Sequence, residues 1–98
     1  MKQREKTHDT VIRREERTDG KNSYSYELLI KESLRVASYK MPLYSIRVGM
    51  TNEFGDFTTA DIKDAFADAG RAIFFFEKIV NNLATPIDLA YILEDEMR

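Results

Sequence analysis

The apolar residues of this chain change period once, from two to 3.6, and that change restricts it to a sheet followed by helices. In "SYSYELLIKES", Tyr24, Tyr26, Leu28 and Ile30 alternate with Ser23, Ser25, Glu27 and Lys31. "LYSIRVGMT" repeats the pattern, with Tyr44, Ile46, Val48 and Met50 on one face and Ser45 and Arg47 on the other. Successive strand side chains point to opposite faces, so each segment predicts a strand with one apolar side. After Asp68 the spacing becomes helical. Ala69, Ala72, Ile73, Phe76, Ile79, Val80 and Leu83 fall in one stripe at about 100° per residue.

Turn and cap residues set the limits of these elements. "DTVIRREER" combines Thr10, Val11 and Ile12 with a charge run and predicts an edge strand, where charges discourage pairing with another chain. Asp19-Gly20 then marks a hairpin, because glycine accepts the positive φ of a tight turn. "RVASYKMP" connects the next two strands and ends at Pro42, and "NEFGD" is a further turn. "FTTADIKDAF" is ambiguous: Phe57, Thr58, Thr59 and Ile62 suit a strand, whereas its Ala and Asp content could start a helix at Thr58 or Thr59. Asp68 caps the first helix. Thr85-Pro86-Ile87-Asp88 opens a second, with Thr85 as N-cap, Pro86 at the first helical position and Asp88 closing a capping box. That helix is expected to run to about Met97. The expected fold is α+β: an antiparallel sheet of three or four strands, then two helices packed on one face. Residues 1–6 are expected to form a disordered polar tail and 7–98 a single domain, since 98 residues leave no room for a second core.

Composition removes several functions. There is no cysteine, hence no disulfide framework, thiol nucleophile or thiolate metal site. The N-terminus lacks the apolar run of a signal peptide, and no segment is long enough to span a bilayer. A cytoplasmic protein is expected. The net charge of -2 is unevenly spread. Residues 1–40 carry ten Lys/Arg and seven Asp/Glu, and residues 41–98 carry five and ten. The plain explanation is solvated faces.

Phe74, Phe75 and Phe76 are consecutive, and one helix face cannot take all three. Phe76 falls in the stripe and is expected in the core, Phe75 half-buried on its flank, and Phe74 nearly opposite. On the second helix, Leu89, Ala90, Ile92, Leu93 and Met97 form one apolar arc, while Ile87 and Tyr91 lie on the other side. Apolar residues on both sides of two helices exceed what one sheet can cover. Phe74, Phe75, Ile87 and Tyr91 are therefore candidates for contact with a second copy or another protein.

Catalytic signals are weak. His8 is the sole histidine and lies in the N-terminal segment, without neighbours to orient it as a base. Gly49, Gly55 and Gly70 lack the spacing of a phosphate-binding loop. The carboxylates Asp61, Asp64 and Asp68, and Glu94, Asp95 and Glu96, cluster in sequence. A hard cation needs several oxygens around one point. In a strand Asp61 and Asp64 would face opposite ways; in a helix all three would share a face. Solvation and capping explain them more simply. Glu94 and Asp95 sit where a helix disfavours negative charge, so a cation from Arg13, Arg14, Arg47 or Lys78 could compensate them.

The segments "YSIRVGM", "ADIKDAFAD" and "NNLATPIDLAYILED" resemble a family of short, uncharacterised clostridial-type bacterial proteins carrying a domain of unknown function. The resemblance covers Tyr24 to Asp95. Such proteins end in a helix that opens Ser/Thr-Pro-x-His-Leu and closes Val/Ile-Glu-Asp; here these are Thr85-Pro86-Ile87-Asp88-Leu89 and Leu93-Glu94-Asp95, with Asp88 in the histidine position. The resemblance implies a strand at Phe57 to Ala65 and supplies no activity. The expected function is a small non-catalytic interaction or regulatory module, homodimeric, with no cofactor and no metal. The alternative is a nucleic-acid-binding protein using the basic N-terminal half, where "RREER" and "YSY" supply arginines and aromatics but interleaved acids oppose it.

Overall fold

The computed structural model describes residues 9–32 and 42–96. The N-terminal tail, His8, residues 33–41 of the connection and Met97 fall outside them. Four strands, β1 (Asp9–Thr18), β2 (Ser23–Glu32), β3 (Pro42–Thr51) and β4 (Phe57–Phe66), are followed by α1 (Ala69–Asn81) and α2 (Pro86–Glu96). The strands form an antiparallel sheet in the order β1-β2-β3-β4, so β1 and β4 are its edges. Phe57 to Ala65 is strand, as the Asn52–Asp56 turn chemistry favours.

Side-chain oxygens hold both described turns. Asp19 Oδ1 accepts from the backbone N–H groups of Lys21 and Asn22 at 3.0 and 2.7 Å. Gly20 takes φ 95°, which glycine alone adopts at no steric cost. Asn52 Oδ1 likewise accepts from Phe54 and Asp56 N–H, both at 2.9 Å. Asp68 caps α1, accepting from Arg71 N–H at 2.8 Å. Thr85 and Asp88 exchange reciprocal bonds, each 3.2 Å, and close the capping box of α2.

The helices cover one sheet face. Tyr26, Leu28, Ile46 and Val48 from the sheet and Ala72, Phe75, Phe76, Ile79 and Leu89 from the helices share one core. The phase of α1 differs from the expected stripe. Phe75 is fully buried rather than half-buried, while Ile73 is 38 % exposed and Ala69 is exposed. The core direction passes between Phe75 and Phe76. Two positions 100° apart can straddle it, because the buried arc of a helix lying on a sheet is wider than that. The helix ends with Leu83 at φ 49°, while Leu83 and Ala84 N–H return to the Val80 and Ile79 carbonyls. That pattern normally employs glycine; here the leucine also packs against the core.

The two edges are both irregular. In β1 the register shifts between Val11 and Arg13. In β4 two extra residues stand between Ile62, opposite Ile46, and Phe66, opposite Tyr44. Asp64 has φ 54° there, and its N–H donates to Ser45 Oγ at 2.9 Å. Bulges of this kind spoil an edge as a template for further strands.

Candidate functional site

The outer surface of the helix layer carries three large apolar side chains with no cover among the described residues. Phe74 on α1 is 62 % exposed, and Ile87 and Tyr91 on α2 are 73 % and 67 % exposed. Ile87 and Tyr91, four apart, lie on one side of α2. The same helix buries Leu89 and half-buries Ile92 and Leu93 on its sheet side. Phe75 does not belong to this surface. Its ring lies 5.4 Å from that of Phe66 inside the core.

The carboxylates do not gather into a site. Asp61 stands opposite Arg47 in the register. The irregularity after Ile62 breaks the alternation that would set Asp61 and Asp64 on opposite faces. Asp64 meets Lys31 Nζ at 3.0 Å, and Lys31 shares the face of Glu27 and Leu29. Asp68 is a cap. Lys78, a candidate partner for Glu94 or Asp95, pairs instead with Glu96 at 3.1 Å. Among the described residues no group of three His, Cys, Asp or Glu could hold a metal ion. His8 lies outside the described residues.

The arginines of β1 are each tied to acids. Arg13 donates to Glu77 at 2.9 Å and lies 5.2 Å from the centre of the Phe76 ring, pinning the edge strand to α1. The Glu77 hydrogen bond is the largest influence raising the Arg13 pKa. Arg14 contacts Glu16 and Glu27, and Arg17 contacts Glu15. Arg47 donates to the other oxygen of Glu27 at 2.9 Å. Alternating signs thus run across the sheet from Arg14 through Glu27 and Arg47 to Asp61. Sequence alternation gives the face of each of these residues; only the register shows that they line up.

An antiparallel four-stranded sheet with two C-terminal helices on one face defines an α+β protein without a recognisable catalytic constellation among its described residues. The chain belongs to DUF6514, a family of unknown function, whose match extends over residues 5–98. No curated protein and no solved structure matches it. Among the described residues, no helix is long and apolar enough to cross a membrane.

Proposed function

We propose that this protein is a small non-catalytic interaction module that self-associates through the outer surface of its helix layer, around Phe74, Ile87 and Tyr91. The observation that carries this reading is the exposure of these three residues beside a complete core. Phe75 and Phe76 fill that core, so the fold has no need of a third phenylalanine at position 74. Burial of such side chains against a second copy would remove apolar area from water at about 25 cal/mol per Å². Thr85 and Asp88 act as a helix cap in this reading, so an aspartate in the position where similar clostridial-type bacterial proteins carry histidine is a structural choice. The lack of cysteine agrees with a cytoplasmic setting.

Nucleic-acid binding by the N-terminal half stands second. Its arginines would have to exchange Glu15, Glu16, Glu27 and Glu77 for phosphates. Sedimentation velocity over a range of concentrations tests the first reading. The wild-type chain should show a concentration-dependent dimer. Phe74→Asp and Ile87→Asp should each weaken it at least about tenfold, because each leaves a charge unpaired in an apolar contact. At concentrations low enough for the wild type to be monomeric, both variants should keep its unfolding midpoint. A wild-type chain that stays monomeric at every concentration would overturn the proposal.

A further inference from the structure

The face of the sheet turned away from the helices carries a separate feature. Its side chains stand in rows that cross all four strands. Thr18, Ser23, Thr51 and Phe57 are successive cross-strand partners, and the next row is Glu16, Ser25, Gly49 and Thr59. Arg14, opposite Glu27, begins the row beyond. At the end of the sheet that carries both described turns, this face dips into a cavity of about 330 Å³. Ser25 and Gly49 form its floor, the Phe57 ring one wall, and Arg14 and Glu16 the opposite wall. The hydroxyls of Thr18, Ser23 and Thr51 lie along the side nearest the turns. Arg17 and Tyr24 are cross-strand partners whose side chains belong to the helix face, so they border the cavity without supplying a wall.

Gly49 makes this shape possible through space rather than through backbone freedom. A Cβ there would stand 2.9 Å from Ser25 Oγ and 3.1 Å from two atoms of the Phe57 ring. The ring therefore leans on the glycine, yet Phe57 remains 64 % exposed. A ring fixed on one side and open on the other is a stacking surface, with an electron-rich face. The opposite wall carries no surplus charge, because the Arg14 guanidinium meets two carboxylates, Glu16 and Glu27. That wall is nonetheless rich in directed polar groups. Both bonds from Arg14 to Glu16 end on Oε2, which leaves Oε1 to accept, and Nη2 has a second N–H to donate. Each hydroxyl of the lining can donate and accept. An anion would meet Glu16 with no spare cation to hold it. A wholly apolar ligand would take water from the hydroxyls and the ion pair and return no hydrogen bonds. A neutral ring with a C–H face and hydroxyls around its rim matches both walls. β1 and β3 are two strand spacings apart, roughly 10 Å, which admits one such ring with contacts on either side.

We infer that this depression is a binding site for a neutral pyranose sugar. The C–H face of the sugar lies on the open side of Phe57, since those hydrogens carry slight positive charge towards the electron-rich ring. A pair of adjacent sugar hydroxyls meets the far wall, one donating to Glu16 Oε1 and its neighbour accepting from Arg14 Nη2. The remaining hydroxyls exchange hydrogen bonds with the serines and threonines. The cavity size falls at the lower end of small-molecule sites, about 300–1,000 Å³. The inference is independent of the helix-layer surface, which lies on the other side of the molecule.

Titration of the 15N-labelled protein with glucose, galactose, mannose and N-acetylglucosamine, followed by amide chemical shifts, tests it. At least one should give saturable shifts at residues 14–18, 23–25, 49–51 and 57. A dissociation constant on the order of 1 mM is expected, the scale that a ligand of about a dozen heavy atoms reaches at ordinary efficiency. Glycerol, which has hydroxyls but no ring face, should bind at least about fivefold more weakly. Affinity should not change between low and physiological salt, because the ligand is neutral. Phe57→Ala and Glu16→Ala should each weaken binding at least about fivefold, and Ser25→Leu, which fills the floor, should abolish it. Phe74→Asp, on the helix layer, should leave binding unchanged. Unfolding midpoints establish that each variant is folded. The inference is overturned if none of the four sugars gives saturable shifts, or if the shifts are confined to other residues. Wild-type affinity in folded Phe57→Ala and Glu16→Ala would also overturn it. So would glucose 6-phosphate binding more than about tenfold tighter than glucose, since charge would then carry the recognition.

Discussion

Tyr26 and Ala84 are 58 residues apart in sequence, and the phenolic O–H of the first donates to the backbone carbonyl of the second at 2.9 Å. Tyr26 is fully buried in the middle of β2, and Ala84 lies in the link between the two helices. The bond fixes that link against the sheet while satisfying a carbonyl that water barely reaches. Tyr26→Phe removes the donor and keeps the ring. It should lower stability by about 1–3 kcal/mol, the cost of a buried acceptor left without a partner. Denaturant melts of the two proteins measure it.

The same residue should give an alkaline limit to stability. Burial, the largest cause, pushes the Tyr26 pKa up to about 12, with the neighbouring Tyr24 adding to the rise. The ordinary value in an unfolded chain is about 10. Between those values the unfolded state loses its proton first, so unfolding is favoured as pH rises. The contribution is whole below pH ~10 and is lost progressively towards pH ~12, on the order of 2 kcal/mol in total. Stability measured across that range should fall in wild type, and the part due to this residue should vanish in Tyr26→Phe.

At the other end of the scale, Asp19 organises the first hairpin. The N–H of Asn22, then that of Lys21, then the Tyr24 hydroxyl hold its carboxylate pKa below the usual value. A depressed acid stabilises above its unfolded pKa and loses that contribution as pH falls through the folded value. NMR titration should place the Asp19 midpoint below 3.8, and Asp19→Ala should raise amide exchange in the 19–22 turn.

Thr85→Ala tests a feature legible in four letters. "TPID" encodes a cap, a proline where no N–H is needed, and an acid to return the bond, and both reciprocal bonds form. The substitution should cost ~1 kcal/mol. A melt without change would show that solvent serves the Asp88 N–H equally well.

Local chemistry of this sort explains why much of the fold could be read in advance. Strand faces follow from alternation at Tyr24 to Ile30 and Tyr44 to Met50, and both turns follow from Asp19-Gly20 and Asn52 to Asp56. The phase of α1 does not, because the choice between a stripe centred on Phe76 and one between Phe75 and Phe76 depends on where the sheet lies. The irregularity at Asp64 is similarly hidden. Regular alternation from Ile62 would aim Asp64 at the helices, an unpaired charge against an apolar layer. Two extra residues bring it to Lys31 instead. The cavity beside Phe57 needs three registers at once, and no single strand carries its signal.

Phe74, Phe75 and Phe76 separate these levels in one experiment. Phe75 and Phe76 are both fully buried, against the sheet and against each other's neighbours. Truncating either removes core volume that the surrounding side chains refill only in part. Phe75→Ala and Phe76→Ala should each lower stability by about 3–5 kcal/mol. Phe74→Ala removes an exposed ring and should change the stability of the monomer by no more than about 0.5 kcal/mol. The contrast between positions 74 and 75 matters most, because they differ in rotation by only about 100°. Equal costs at 75 and 76 with none at 74 place the core direction between the two buried rings. A large loss at 74 with little at 75 would mean that α1 is rotated, and the helix-layer surface would lose its central residue. The measurement is done at low protein concentration, so that association through Phe74 does not contribute to apparent stability.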